Sequence, residues 1–212
     1  MFNAVSKVLV LAPHTDDGEL GAGGTIAKLI EQGVSVYYAA FSTAAASVPE
    51  GLPKDILKTE VKAATKKLGI QEENLLIYDY EVRKLNYVRQ EILENLVQLR
   101  RTINPDLVFM PSLNDIHQDH LTVAQEGIRA FKHTNLLGYE LIWNNLTFNT
   151  QCFVQLEHKH VQQKADALKE YQSQKDRDYT SEEFIFSLAK ARGVQVGAGY
   201  AEAFEMIRMI VR

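Results

Sequence analysis

The chain is poor in cysteine. Cys152 stands alone among 212 residues, so no intrachain disulfide can form. That fits a reducing compartment, and a cytoplasmic location is the expectation. Long apolar runs are also missing, and no stretch approaches the roughly 20 residues that span a bilayer. The start, "MFNAVSKVLVLAPH", has one lysine and only a few apolar residues in a row. It has no full h-region or small-residue cleavage site and reads as no signal peptide. There is no basic excess: 23 Lys and Arg against 27 Asp and Glu leave a formal charge of -4 at pH 7. That argues against nucleic acid as a partner, because phosphate binding needs a basic face. Internal repeats, linkers and low-complexity segments are absent too. What remains is 46% hydrophobic and 24% charged, the balance of a soluble globular protein. One domain over residues 1–212 is the expectation.

Apolar periodicity then divides the chain. "KVLVLA" (7–12) reads as a buried strand. "GELGAGGTIAKLIEQG" has helical spacing at Leu20, Ile26, Leu29 and Ile30, closed by Gly33. Further strands are expected at 34–42, 74–80, 106–112 and 135–143, with helices at 55–69, 87–103 and 119–132. A short strand from 153 runs into a helix ending near 174, another helix covers about 181–191, and an apolar "MIRMIVR" closes the chain. "RGVQVGAGYAE" (192–202) reads as a loop folding over the functional site. The alternation predicts an α/β fold: a single-domain, doubly wound, Rossmann-like, mostly parallel sheet with helices on both faces.

In such sheets ligands bind beyond the carboxyl ends of the strands. "APHTDDGELGAGG" places His14, Asp16 and Asp17 just after the first strand. "PSLNDIHQDH" places Asp115, His117, Asp119 and His120 just after the fourth. Either cluster alone reads as a polar turn capping the next helix. Two of them at equivalent strand ends instead point to one crevice and a divalent cation that makes the carboxylates tolerable there. A His/Asp donor set suits zinc best, with iron, cobalt or manganese also within its range. The glycines do not form a dinucleotide fingerprint. Their spacing is wrong, and Asp16 and Asp17 would repel a pyrophosphate. They read as close packing of helix on sheet.

"APHTDDGELGAGG" resembles the signature of the PIG-L/LmbE deacetylases, usually written AHPDDExxGxGG, and "HQDH" resembles their second motif, HxDH. "KADALKEYQSQ" and "YAEAF" resemble weaker C-terminal patterns of the same family. The resemblance implies metal ligation by His14, Asp17 and His120, with an open position for water. It implies Asp16 as general base and His117 as oxyanion stabiliser or proton donor to the leaving amine. Asp119 would orient a histidine, and Asp79 would bind sugar hydroxyls. Arg83 and Arg192 would flank the pocket, and Trp143 and Tyr139 offer a stacking face. The chain departs from the signature at Pro13-His14-Thr15, in the displaced Glu19, and in a loop, 43–54, that lacks the usual arginine.

The expected activity is zinc-dependent removal of an N-acetyl group from an amino sugar, such as N-acetylglucosamine, or a sugar conjugate. Analogy with the family adds a homo-oligomer. Two other readings stay open: a non-haem iron enzyme using the two histidines and one carboxylate, and a non-catalytic sugar- or nucleotide-binding module.

Overall fold

Residues 7–14 form the first strand, β1 (Lys7–His14), in the computed structural model, which describes residues 5–211. Residues 1–4 of the segment examined for a signal peptide, and Arg212 of the apolar end, lie outside the described residues. Val8 through Ala12 are wholly buried. Val8, Val10 and Ala12 share one core with α1 (Asp17–Glu31), α2 (Ile56–Leu68), α5 (His158–Leu168) and α6 (Glu182–Gln195). Leu9 and Leu11 share another with α3 (Arg89–Ile103) and α4 (Gln118–Ala130). A strand covered on both faces explains an apolar run without alternation.

The other strands are β2 (Ser35–Ser42), β3 (Leu75–Ile77), β4 (Leu107–Pro111), β5 (Asn135–Tyr139), β6 (Cys152–Leu156) and β7 (Tyr200–Arg208). They join β1 in a single seven-stranded sheet of order β3-β2-β1-β4-β5-β7-β6. The first five strands run parallel, and β7 is antiparallel to both β5 and β6. The chain steps outward from β1 through β2 to β3, then returns to lay β4 against the other side of β1. The carboxyl ends of β1 and β4 therefore flank the switch point, where open α/β sheets form a crevice.

The expected doubly wound sheet is present. The glycines of α1 bring it close onto that sheet: a Cβ on Gly18 would stand 2.5 Å from the Tyr38 ring, and one on Gly21 would run into Tyr139. No helix of the described residues is long and apolar enough to cross a membrane.

Several expectations are corrected. The strand at 74–80 narrows to Leu75–Ile77, although the Tyr78 and Tyr80 N–H groups still bond the Ala40 and Phe41 carbonyls at 2.8 and 3.1 Å. The strand from 135 ends at Tyr139 rather than 143, and the helix read to 174 ends at Leu168. The largest correction is at 192–202, which is not a loop over the site. Its first residues complete α6, and Tyr200 opens β7, which lies inside the sheet. Two buried acids hid that strand. Glu202 pairs with Lys164 at 2.7 Å and accepts from the Gly24 and Thr25 N–H groups. Glu205 accepts from Ser112 Oγ at 2.6 Å. Pattern reading counts a carboxylate as exposed unless its partners are visible.

Candidate metal centre

β1 ends at His14, and the turn beyond it is closed by the His14 N–H donating to Asp17 Oδ2 at 2.8 Å. Across the switch point, the chain after β4 turns until His117 caps α4, its Nδ1 accepting the Asp119 N–H at 3.1 Å. Three histidines from these two segments, His14, His117 and His120, offer ring nitrogens within 4.8 Å of one another.

Asp17 makes a tighter triangle with two of them. His14 Nδ1 lies 3.3 Å from Asp17 Oδ2, His120 Nε2 lies 3.2 Å from the same oxygen, and the two nitrogens are 3.1 Å apart. A tetrahedral ion bound at about 2.0–2.1 Å needs donor atoms about 3.3 Å apart. The residues present fit a divalent metal, and the triangle fits it better than the wider set of three rings.

Each histidine of the triangle has a carboxylate behind it. Asp119 Oδ2 is 3.0 Å from His14 Nε2, and Asp115 Oδ2 is 2.7 Å from His120 Nδ1. Such partners fix a ligand's ring orientation and tautomer. Burial opposes charge on both rings, but Asp17 and the carboxylate bonds outweigh it, carrying His14 up to about 9 and His120 up to about 10. Burial likewise opposes ionisation of Asp17, yet His120 and His14 hold its pKa well below the usual carboxylate range.

Asp16 differs from its neighbour. Burial, reinforced by the Asp17 charge, raises it to about 6. His117 moves below its ordinary value, through burial first and then the charges of His120 and His14. Glu19 is wholly buried behind the site, where Tyr38 and Tyr171 donate hydroxyl hydrogens to its two oxygens, and burial lifts it to about 8.

His14, Asp16, Asp17, His117 and His120 all line one cleft, and Arg83 joins them there. Asp119 lies behind His14, wholly buried. Asp79 and Arg192 are not among the lining residues. Asp79 accepts from Thr43 Oγ1 at 3.0 Å, and the Arg192 guanidinium grips Glu140, with Nε 3.0 Å from Oε2. Tyr139 is buried core, its hydroxyl donating to the Leu11 carbonyl at 2.9 Å. Trp143 does line the cleft, stacked on Tyr179 with centroids 4.0 Å apart and planes 15° from parallel.

Asp115 as the partner of His120 went unread, although an acid five residues before a ligand was a visible signal. Gln174, Arg177 and Tyr179 also line the cleft. Gln174 closes the "KADALKEYQSQ" pattern, whereas Arg177 and Tyr179 follow it with no local pattern to mark them.

The fold and the site define an α/β protein with a crevice at the switch point of its sheet whose histidines could hold a metal ion. The chain belongs to the PIG-L family, described as GlcNAc-PI de-N-acetylase, which it matches over residues 9–131. It is 31% identical over 147 residues to a diacetylchitobiose deacetylase of Thermococcus kodakarensis, covering 65% of this chain and 54% of that one. It is 31% identical over 138 residues to a probable N-acetyl-alpha-D-glucosaminyl L-malate deacetylase 2 of Bacillus cereus, covering 58% and 60%. The matches thus span little more than half the length of these two relatives.

Among solved structures, the N,N'-diacetylchitobiose deacetylase of Pyrococcus horikoshii superposes with a TM-score of 0.80 at 24% identity, over 96% of this chain and 84% of that one. GalB of Pseudomonas putida KT2440, a 4-carboxy-2-hydroxymuconate hydratase, superposes at 0.78 with 19% identity, over 98% of each chain. These likenesses show the fold. Because the second neighbour is a hydratase, the reaction has to be argued from the site.

Proposed function

We propose that this protein is a metal-dependent amide hydrolase that removes an N-acetyl group from an amino sugar or sugar conjugate, with zinc best matched to its donors. The observation that carries this reading is the triangle of His14 Nδ1, Asp17 Oδ2 and His120 Nε2, with Asp16 and His117 on the same cleft. The deacetylase names of the two relatives support it.

A divalent ion in the triangle would supply an acidified water and polarise the substrate carbonyl. Asp16, whose carboxylate makes no hydrogen bond to another described residue, takes the proton from the attacking water. The same carboxyl then returns the proton to the departing nitrogen, since an amine leaves far more readily than an amide anion. His117 spends Nδ1 on accepting the Asp119 N–H, so its neutral ring carries hydrogen on Nε2. That N–H donates to the negative oxygen formed as water attacks the carbonyl carbon. Asp119 and Asp115 hold the rings of His14 and His120 in place. The C–N bond breaks to give acetate and a free amine. The Trp143–Tyr179 pair gives a sugar ring an apolar wall, and Arg83 provides a substrate contact. Asp79 and Arg192 hold Thr43 and Glu140, which lie outside the cleft, and take no part in this mechanism. An iron oxygenase would leave Asp16 without a task.

The test is incubation of zinc-loaded protein with N-acetylglucosamine and N,N'-diacetylchitobiose, measuring amine and acetate. Equimolar release is expected. Asp16→Asn should keep its zinc and lose roughly 10²–10⁴-fold in kcat. Absence of amine from zinc-loaded protein across a panel of N-acetylated sugars and conjugates would overturn the reading.

A further inference from the structure

Resting on the metal-site reading, we infer that Tyr171 is a positioning residue whose hydroxyl holds the turn carrying His14, Asp16 and Asp17. Tyr171 belongs to "KADALKEYQSQ", a pattern that the chemistry above leaves without a task. It follows α5 and is 1% exposed. Its hydroxyl oxygen lies 2.8 Å from the Thr15 carbonyl oxygen and 2.9 Å from Glu19 Oε1. Tyr38 of β2 reaches the same two residues, 2.9 Å from the Thr15 carbonyl and also bonded to Glu19 Oε2. One backbone oxygen between the ligand His14 and the base Asp16 is thus met by two buried phenols brought from distant parts of the chain.

The Thr15 carbonyl belongs to the rigid peptide plane that ends on the Asp16 Cα, so anchoring its oxygen fixes where the base starts. The turn has few other holds. Its front is closed by the His14 N–H on Asp17 Oδ2. Thr15 Oγ1 is buried with no hydrogen-bond partner and contributes none. The PIG-L/LmbE signature places proline, which locks its own φ, where this chain has Thr15. The chain gives up that stiffening, and the phenols bear more of the hold.

Tyr171 is itself supported on both sides, as a precise contact requires. Lys164, earlier in the same pattern, donates to the Leu20 carbonyl at 2.6 Å and pairs with Glu202. Ser173, just beyond it, donates its N–H to Glu60 Oε1 at 2.9 Å and its hydroxyl to Oε2 at 2.5 Å. Each phenol brings one hydrogen within reach of two acceptors. Without the Tyr171 hydroxyl, Tyr38 cannot serve both the Thr15 carbonyl and Glu19, and a buried acceptor loses its donor. A phenylalanine would fill the same space, so the hydroxyl is the part that acts on the turn.

Cobalt(II) in place of zinc tests this, because its visible absorption bands follow ligand geometry without any turnover. Tyr171→Phe should shift or weaken those bands and lower zinc affinity about tenfold against a chelating indicator. It should also lower kcat about tenfold with KM little changed, since Tyr171 does not line the cleft. Tyr139→Phe is the matched control. It removes an equally buried phenol bond, to the Leu11 carbonyl at 2.9 Å, inside β1 rather than on the turn. It should lower the melting temperature and leave the bands and kcat as in the parent. Where Tyr171→Phe does not fold, para-methylphenylalanine in place of Tyr171 fills the oxygen's space without donating and should show the same shift. Parental bands and kcat in the folded Tyr171 variant, or changes matched by Tyr139→Phe, would overturn the inference and leave the metal site standing. A parent that takes up neither cobalt nor zinc would overturn the metal reading and this inference with it. A parent that binds metal but releases no amine counts against the deacetylase alone, and the bands still decide.

Discussion

Asp119 Oδ2 sits 3.0 Å from His14 Nε2 and also accepts the N–H of Arg83. One buried carboxylate thus ties a metal-site histidine to the loop that carries a cleft arginine. Burial opposes its ionisation, but the His14 bond and the backbone donors prevail and lower its pKa.

Removing that charge should loosen both attachments. Asp119→Asn keeps the shape and loses the charge, and zinc affinity should fall roughly 10–100-fold. Competition against a chelating indicator measures it. Unchanged affinity in a folded variant would sink the orienting role.

Zinc binding should release protons. In the metal-free site His14 and His120 titrate at about 9 and about 10, so both are protonated at neutral pH, and both must be neutral to ligate. Calorimetry in buffers of different ionisation enthalpy should find about two protons released near pH 7.5. Affinity should rise with pH up to about 10, where the second of the two rings loses its proton and competition ceases. Release near zero would mean that these rings are not the ligands.

His117 has a structural job as well as the proposed chemical one. His117→Ala loses the cap on the Asp119 N–H, which costs on the order of 1 kcal/mol. It should also lower kcat by roughly two orders of magnitude with zinc retained. His117→Asn can restore the cap but not a donor of the same reach, so stability should recover while kcat stays low. Near-normal turnover in a zinc-loaded His117→Ala refutes the catalytic role.

Glu19 should make the metal-free protein sensitive to alkali. Its carboxyl titrates at about 8 when folded, against an ordinary value of 4.5. Below 4.5 both states hold the proton; between there and about 8 only the folded state does. Stability from this group is therefore complete below the lower value and is lost as pH rises through the upper one, with a slope of at most about 1.4 kcal/mol per pH unit. Urea titrations of Glu19→Gln should show a shallower decline between pH 5 and pH 8 than the parent. Identical slopes would contradict the burial argument.

By itself the sequence determined the architecture of the first five strands. Their apolar runs alternate with amphipathic helices, and that local pattern survives in any fold that buries both faces of a parallel sheet. It also made the candidate set legible, because His14, Asp16, Asp17, His117 and His120 lie at or shortly after two strand ends, and the structure brings all five to one cleft. Tertiary structure alone decided three things. It inserted β7 between β5 and β6, where Glu202 and Glu205 are tolerable only through distant partners such as Lys164 and Ser112. It decided which arginine meets the cleft: Arg192 is claimed by Glu140, while Arg177 arrives there unpaired. It also set the triangle's edges near 3.2 Å by laying β1 beside β4. Hydrogen bonds and ion pairs between residues up to 178 positions apart leave no periodic trace in the chain, whereas burial of a strand or a helix face does.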